Sequence, residues 1–300
     1  MAASCKKNNL TINSSKKAKN SDRYTKEIFT SVKIDSNISY GKALNISGVQ
    51  EELFTDIYEP DNDTAKKRAI IIFVHGGGWL DHNKDDGKEF CTLFSKKGYV
   101  TASINYRLGL EYPINDKTRG EAVYRGVQDI KAAVRYVRSN ASLFKIDTGQ
   151  VFIGGYSSGA VNAVHAAYLD ETEVPQNIDL QRWGGLNNSG NNFNSSSKVQ
   201  GVFSIAGAIA DTNWIQVGDP PIILVHGKTD MFLPYTSGLD YLGIYDYGAM
   251  SIIKRADFLK IPADILTYEN IAHDEYLNAI GFTKTTNAIN DFLYTKIIRQ

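Results

Sequence analysis

The chain has 300 residues, 42% of them hydrophobic, enough to bury one substantial core. Lys plus Arg equals Asp plus Glu at 33 each, so no global field selects nucleic acid or an acidic partner. No apolar run approaches the roughly 20 residues that span a bilayer, so the expectation is a globular chain without a transmembrane segment.

Residues 1–25 are polar, basic and rich in Ser, Asn and Lys, which predicts a flexible N-terminal tail. Within it, Cys5 follows small residues and precedes a polar spacer, as at the junction left in a bacterial lipoprotein, yet no apolar signal segment lies upstream. Two readings stay open. Either Cys5 is a lipid anchor on a processed periplasmic or surface protein, or it is an incidental tail cysteine of a cytoplasmic one. The only other cysteine, Cys91, is read as a small apolar helix residue, so no disulfide framework exists.

Residues 26–300 read as a single α/β domain. QEELFTDIYEP (50–60) alternates apolar and polar residues, which predicts an opening antiparallel strand. RAIIIFVHGGGW (68–79) is a continuous apolar run ending in glycines, the pattern of a central strand covered on both faces. DDGKEFCTLFSKKG (85–98) has helical spacing, and GYVTASINYRLG (98–109) follows as a buried strand. Val123, Val127, Ile130, Val134 and Val137 recur at three or four, predicting a helix from Glu121 to about Asn140. GQVFIGGYSSGAVNAVHAAYLD (149–170) reads as strand, sharp turn and helix. VQGVFSIAGA, PPIILVHGKTD and ADILTYENIAH supply three more strands, and a helix from about Tyr276 to Arg299 closes the chain. This alternation implies a mostly parallel central sheet with helices on both faces. Two stretches, 170–198 with its Asn/Ser/Gly-rich loop and 235–260, are the candidates for small cap elements.

Gly155-Tyr156-Ser157-Ser158-Gly159 matches G-x-S-x-G between an apolar strand and an amphipathic helix. Small residues two positions either side of Ser157 let strand and helix approach, and the turn throws the Ser157 hydroxyl out over the sheet edge. The alternative is a glycine-rich turn without chemistry. HGGGW, His75 to Trp79, supports the chemical reading, since a glycine triplet after a buried strand leaves backbone N–H groups free to face a ligand. Gly77, Gly78 and Ser158 are therefore the expected oxyanion-hole donors. The spacing fits neither the dinucleotide nor the P-loop pattern.

A serine hydroxyl needs a base. Of the five histidines, only His273 follows the serine and leaves room for an acid between, as the order Ser, acid, His requires. Asp230, just past the strand IILVHG, is the favoured acid, with Asp211, Asp240, Asp246 and Glu269 as rivals. Trp79, Tyr156, Trp183 and Trp214 are candidates to line substrate pockets, or equally to serve core and loop packing.

HGGGW, SINYRLG (103–109), DIKAAVRYVRSNASLFKID (129–147), GYSSG, HGKTD (226–230) and His273 together resemble the α/β-hydrolase carboxylesterases of the hormone-sensitive-lipase-like group, over roughly residues 45–298. One departure is Ser158, where such esterases often carry alanine. The resemblance implies an α/β-hydrolase fold and a triad of Ser157, Asp230 and His273. It further implies hydrolysis of a small-molecule ester through an acyl-enzyme, without metal or cofactor. Short acyl groups are expected because the cap is small, with acetylated or feruloylated carbohydrate among the candidate substrates. The rival functions are a prolyl-peptidase-like hydrolase and a non-catalytic binding protein on the same fold.

Overall fold

Apolar strands are expected to alternate with helices, and a computed structural model describing residues 22–299 follows that order. The elements are β1 (Val32–Leu44), β2 (Gln50–Pro60), β3 (Arg68–Val74), α1 (Lys88–Lys96), β4 (Val100–Ile104), α2 (Asp116–Ser139), β5 (Ile146–Tyr156) and α3 (Ser158–Tyr168). They continue with β6 (Gly201–Ile205), β7 (Ile222–Gly227), β8 (Ser237–Leu239), β9 (Tyr245–Tyr247), α4 (Ala249–Leu259), β10 (Ala263–Tyr268) and α5 (Phe282–Leu293). One eight-stranded sheet has the order β1-β2-β4-β3-β5-β6-β7-β10. Strands from β4 to β10 are parallel, and β1 and β2 join antiparallel at one edge.

Successive side chains of β3 point to opposite faces, which explains why all seven residues are buried. Ile70, Ile72 and Val74 meet Val127, Val134 and Val161 from α2 and α3. Ile71 and Phe73 meet Phe90 and Phe94 of α1 and Phe292 of α5 on the other face. Phe90 stacks on Phe203 at 5.3 Å and on Phe94 at 4.4 Å, so this layer is aromatic.

Several boundaries differ from expectation, each for a local reason. Helix α2 begins before Glu121 because Asn115 caps it: Asn115 Oδ1 accepts from the Thr118 N–H at 3.1 Å, and Thr118 Oγ1 returns the bond at 3.0 Å. Strand β1 escaped the sequence pattern because only Tyr40 and Ala43 of its thirteen residues are buried. The fold begins at the edge of the expected tail. Tyr24 is buried, its ring lies 4.4 Å from Tyr99, and its hydroxyl accepts from the Ala69 N–H. Cys5 lies outside the described residues, and Cys91 is buried in α1. No helix among the described residues is long and apolar enough to cross a membrane.

The cap candidates also change. Residues 170–198 run as a strap along α2 and β1, held by Gln128 Nε2 donating to the Trp183 carbonyl, Arg135 to Ser189 O, and Lys42 N–H to Gly190 O. The 235–260 stretch divides. Helix α4 covers the sheet with Ile252, Ile253 and Ala256, while β8 and β9 form a separate two-stranded hairpin.

Replacing Phe90 by Ala removes the centre of the aromatic layer and is expected to cost about 3–5 kcal/mol of stability. Urea unfolding checks this; a loss under about 1 kcal/mol would show that the layer contributes little.

Candidate active site

Because β3, β5, β7 and β10 are parallel, the loops after them emerge at one edge, which gathers His75–Trp79, Ser157, Asp230 and His273. Ser157 has φ 54° and ψ −126°, a conformation a serine adopts only when its surroundings enforce it. The enforcement is steric. A β-carbon on Gly155 would overlap the Val74 carbonyl, and one on Gly159 would overlap the carbonyls of Val74 and His75. Only glycine at both positions lets the turn close on β3. The Ser157 N–H donates to Ile205 O at 2.9 Å, which fixes the turn from the other side.

Ser157 Oγ donates to His273 Nε2 at 2.8 Å, and His273 Nδ1 donates to Asp230 Oδ2 at 2.8 Å. The fold thus brings these three residues together. Asp230 is fully satisfied: Oδ1 accepts the N–H groups of Phe232 and Leu233 at 2.9 and 3.1 Å, and Oδ2 also accepts the Tyr276 hydroxyl at 3.1 Å. Burial would raise this carboxyl, but the His273 hydrogen bond and charge, with His226 nearby, hold it below the ordinary carboxylate value. Tyr276 is itself fixed by the Gly227 N–H at 2.7 Å. The imidazole is held by Phe232, stacked on it at 4.7 Å, and by the Tyr156 hydroxyl, which donates to the His273 carbonyl. An open cleft of about 670 Å³, lined by Met231, Phe232, Ile271 and His273, lies beside it.

The rival acids are occupied elsewhere. Asp211 caps a 3₁₀ turn, Glu269 pairs with Lys228 on the surface, and Asp240 and Asp246 share the buried Arg119.

Among the expected oxyanion donors, the N–H groups of Gly77 and Ser158 have no hydrogen-bond partner among the described residues. The Gly78 N–H does have one: it donates to Ser158 Oγ at 3.0 Å. Ser158 thus takes up one of the three expected donors.

The four aromatic candidates part company. Tyr156 packs beside the imidazole, 5.3 Å between ring centroids. Trp79 is 1% exposed, and its indole N–H donates to Asn162 Oδ1 at 2.9 Å, a core role. Trp183 is 5% exposed, with Arg125 and Arg182 at 4.8 and 4.2 Å from its ring, and belongs to the strap. Trp214 contacts His165 and borders a separate cavity of about 340 Å³ with Tyr124, Ile178 and Tyr247. Sequence reasoning missed Tyr276, Phe232, Tyr106 and Tyr241. For Tyr276 a signal existed, since it stands three residues after His273 in HDEY.

A serine, a histidine and an aspartate gathered at the carboxyl edge of a mostly parallel eight-stranded sheet give the α/β-hydrolase architecture. The chain belongs to the BD-FAE family, whose model matches residues 55–212. It is similar to Gut esterase 1 of Caenorhabditis elegans, 32% identical over 33% of this chain and 18% of that protein. Esterase E4 of Myzus persicae is 30% identical over 43% of this chain and 24% of its own length. The matched stretches thus span at most about a quarter of these relatives. A propionate-bound esterase from Thermogutta terrifontis superposes with a TM-score of 0.64 at 20% identity, covering 90% of this chain and 95% of that one, a likeness of fold.

Three buried histidines lie near this edge or behind it. Burial pushes His75 and His226 down to about 4 and His165 to about 3. Each is neutral in the native protein, whereas the unfolded chain takes up protons near pH 6.5, so acid favours unfolding. The melting temperature should therefore fall steadily between pH 6.5 and 4, with the depressed Asp230 adding to the loss below that. A flat Tm over this window, measured by circular dichroism, would contradict it.

Proposed function

We propose that the protein is a serine carboxylesterase acting on small esters with short acyl groups. The observation that carries this reading is the continuous relay from Ser157 Oγ through His273 to Asp230, at 2.8 Å for each step, on a strained strand-to-helix turn. Esterase names among the relatives support it.

In the proposed reaction, Ser157 Oγ bonds to the ester carbonyl carbon as its proton passes to His273 Nε2. The carbonyl π electrons move to oxygen, where the free N–H groups of Gly77 and Ser158 stabilise the negative charge. Asp230 stabilises the imidazolium and keeps its Nδ1–H pointed away from the serine. Collapse expels the alcohol, which takes the proton from Nε2, and leaves an acyl-serine. Water, deprotonated by the same imidazole, then releases the acid and restores the serine. Tyr276 and the two backbone N–H groups hold Asp230 in place for this without joining the chemistry.

A short acyl group is favoured because aromatic side chains of Phe232 and Tyr241 stand close to the imidazole and to Gly78, while the strap is tied to α2 and β1. Trapping with a fluorophosphonate probe should tag the wild-type chain, and Ser157→Ala should lose the tag. A tag retained in that variant would move the nucleophile elsewhere; an untagged wild type would favour a binding protein. Asp230→Asn should keep the fold yet lower kcat by about 10³–10⁴-fold, because the imidazole loses its orienting acceptor. p-Nitrophenyl acetate should be turned over faster than the decanoate, and the reverse order would refute the short-acyl preference.

A further inference from the structure

The expected oxyanion hole is one donor short. The Gly78 N–H is aimed at Ser158 Oγ, 3.0 Å away, and Ser158 Oγ is 3.2 Å from the Tyr106 hydroxyl. That hydroxyl is in turn 3.3 Å from the Gly76 carbonyl. The directions are consistent throughout: Gly78 N–H donates to Ser158, Ser158 O–H to Tyr106, and Tyr106 O–H to Gly76 O. Ser158 and Tyr106 are each 2% exposed, so this chain is sealed from solvent and clamps the two ends of the glycine turn.

A different hydroxyl stands close to Gly78. A β-carbon built on Gly78 would stand 2.5 Å from Tyr241 Oη, so the missing side chain is what admits the phenol. Among the described residues, that hydroxyl has no hydrogen-bond partner. The backbone and ring that carry it are tied to Phe232. The Tyr241 N–H donates to Phe232 O at 2.9 Å, and its ring lies 5.4 Å from Phe232, the same ring that stacks on His273. Asp240 beside it accepts the N–H groups of Leu242 and Ile244 at 2.8 and 2.9 Å, and its other oxygen lies 3.6 Å from Arg119 of α2. Arg119 also binds Asp246 at the far end of the hairpin. An O–H donor without a partner among the described residues thus stands beside the glycine turn, on a ring that packs against the one stacked on the imidazole.

We propose that Tyr241 is a further catalytic residue, its hydroxyl donating to the tetrahedral oxyanion in place of the Gly78 N–H that Ser158 has taken. The hole then consists of the Gly77 and Ser158 N–H groups and Tyr241 Oη–H. This rests on the esterase reading above.

The test uses the full chain with p-nitrophenyl acetate. Tyr241→Phe keeps the ring contacts and should lower kcat by about tenfold or more with KM little changed, as loss of a transition-state donor does. Affinity for a trifluoromethyl ketone, which forms the tetrahedral adduct, should fall by the same factor, while Tm stays put. Ser158→Ala in that background releases the Gly78 N–H and should recover part of the lost kcat. An active wild type whose Y241F variant keeps both kcat and inhibitor affinity within about twofold overturns the assignment. Failure of Ser158→Ala to raise kcat in the Y241F background overturns the exchange of donors. A wild type that neither hydrolyses ester nor takes the fluorophosphonate tag overturns the esterase reading, and this one with it.

Discussion

The close approach between the Ser157 turn and the end of β3 is the constraint on which the rest of the site depends. With Gly155 and Gly159 against the carbonyls of Val74 and His75, the chain can turn from β5 into α3 within one residue. That places Ser157 at positive φ, with its hydroxyl clear of the sheet, and leaves the Ser158 N–H at the helix start without an intrahelical partner. The same contact brings the glycine triplet alongside, because His75 follows directly from β3. Strain at one residue is sustained by packing around two glycines that have no side chains to displace.

Electrostatic order at this edge comes from saturation of Asp230 rather than from its charge alone. Two backbone N–H groups, the Tyr276 hydroxyl and the imidazole use its lone pairs, so the buried carboxylate has no uncompensated acceptor. The neighbouring His226 takes the contrasting solution. It donates through Nε2 to Leu233 O and stays neutral because burial disfavours its charged form. A buried carboxylate held low by its donors thus stands beside a histidine that burial keeps neutral.

The segment after Asp230 carries more of the site than the long strap does. Between Met231 and Tyr247 the chain packs Phe232 on His273, sets Tyr241 against Gly78 and ties its own base to α2 through Arg119. A buried guanidinium facing two carboxylates is costly to assemble and costlier to break, and its use here is to fix the register of a short hairpin with little core of its own. The strap instead joins α2 to the edge strand β1, several strands from Ser157.

Much of this was legible in residue order. Continuous apolar runs marked the buried strands, valines at helical spacing marked α2, and small residues around Ser157 marked the turn. Strand β1 was not legible, since an edge strand with two buried residues has no face for a period to follow. Trp79 and Trp183 were ambiguous for a related reason: an aromatic beside a motif packs inward or outward according to neighbours that lie far along the chain. By itself, the sequence determined the parallel core and the serine turn, because these follow from local steric and apolar patterns. Only the tertiary structure decided that Ser158 consumes a glycine N–H, that Tyr276 completes Asp230, and that Tyr241 faces Gly78. Each of those contacts joins residues between 46 and 163 positions apart, and such proximity is created by the folding of the sheet rather than by any neighbouring residue.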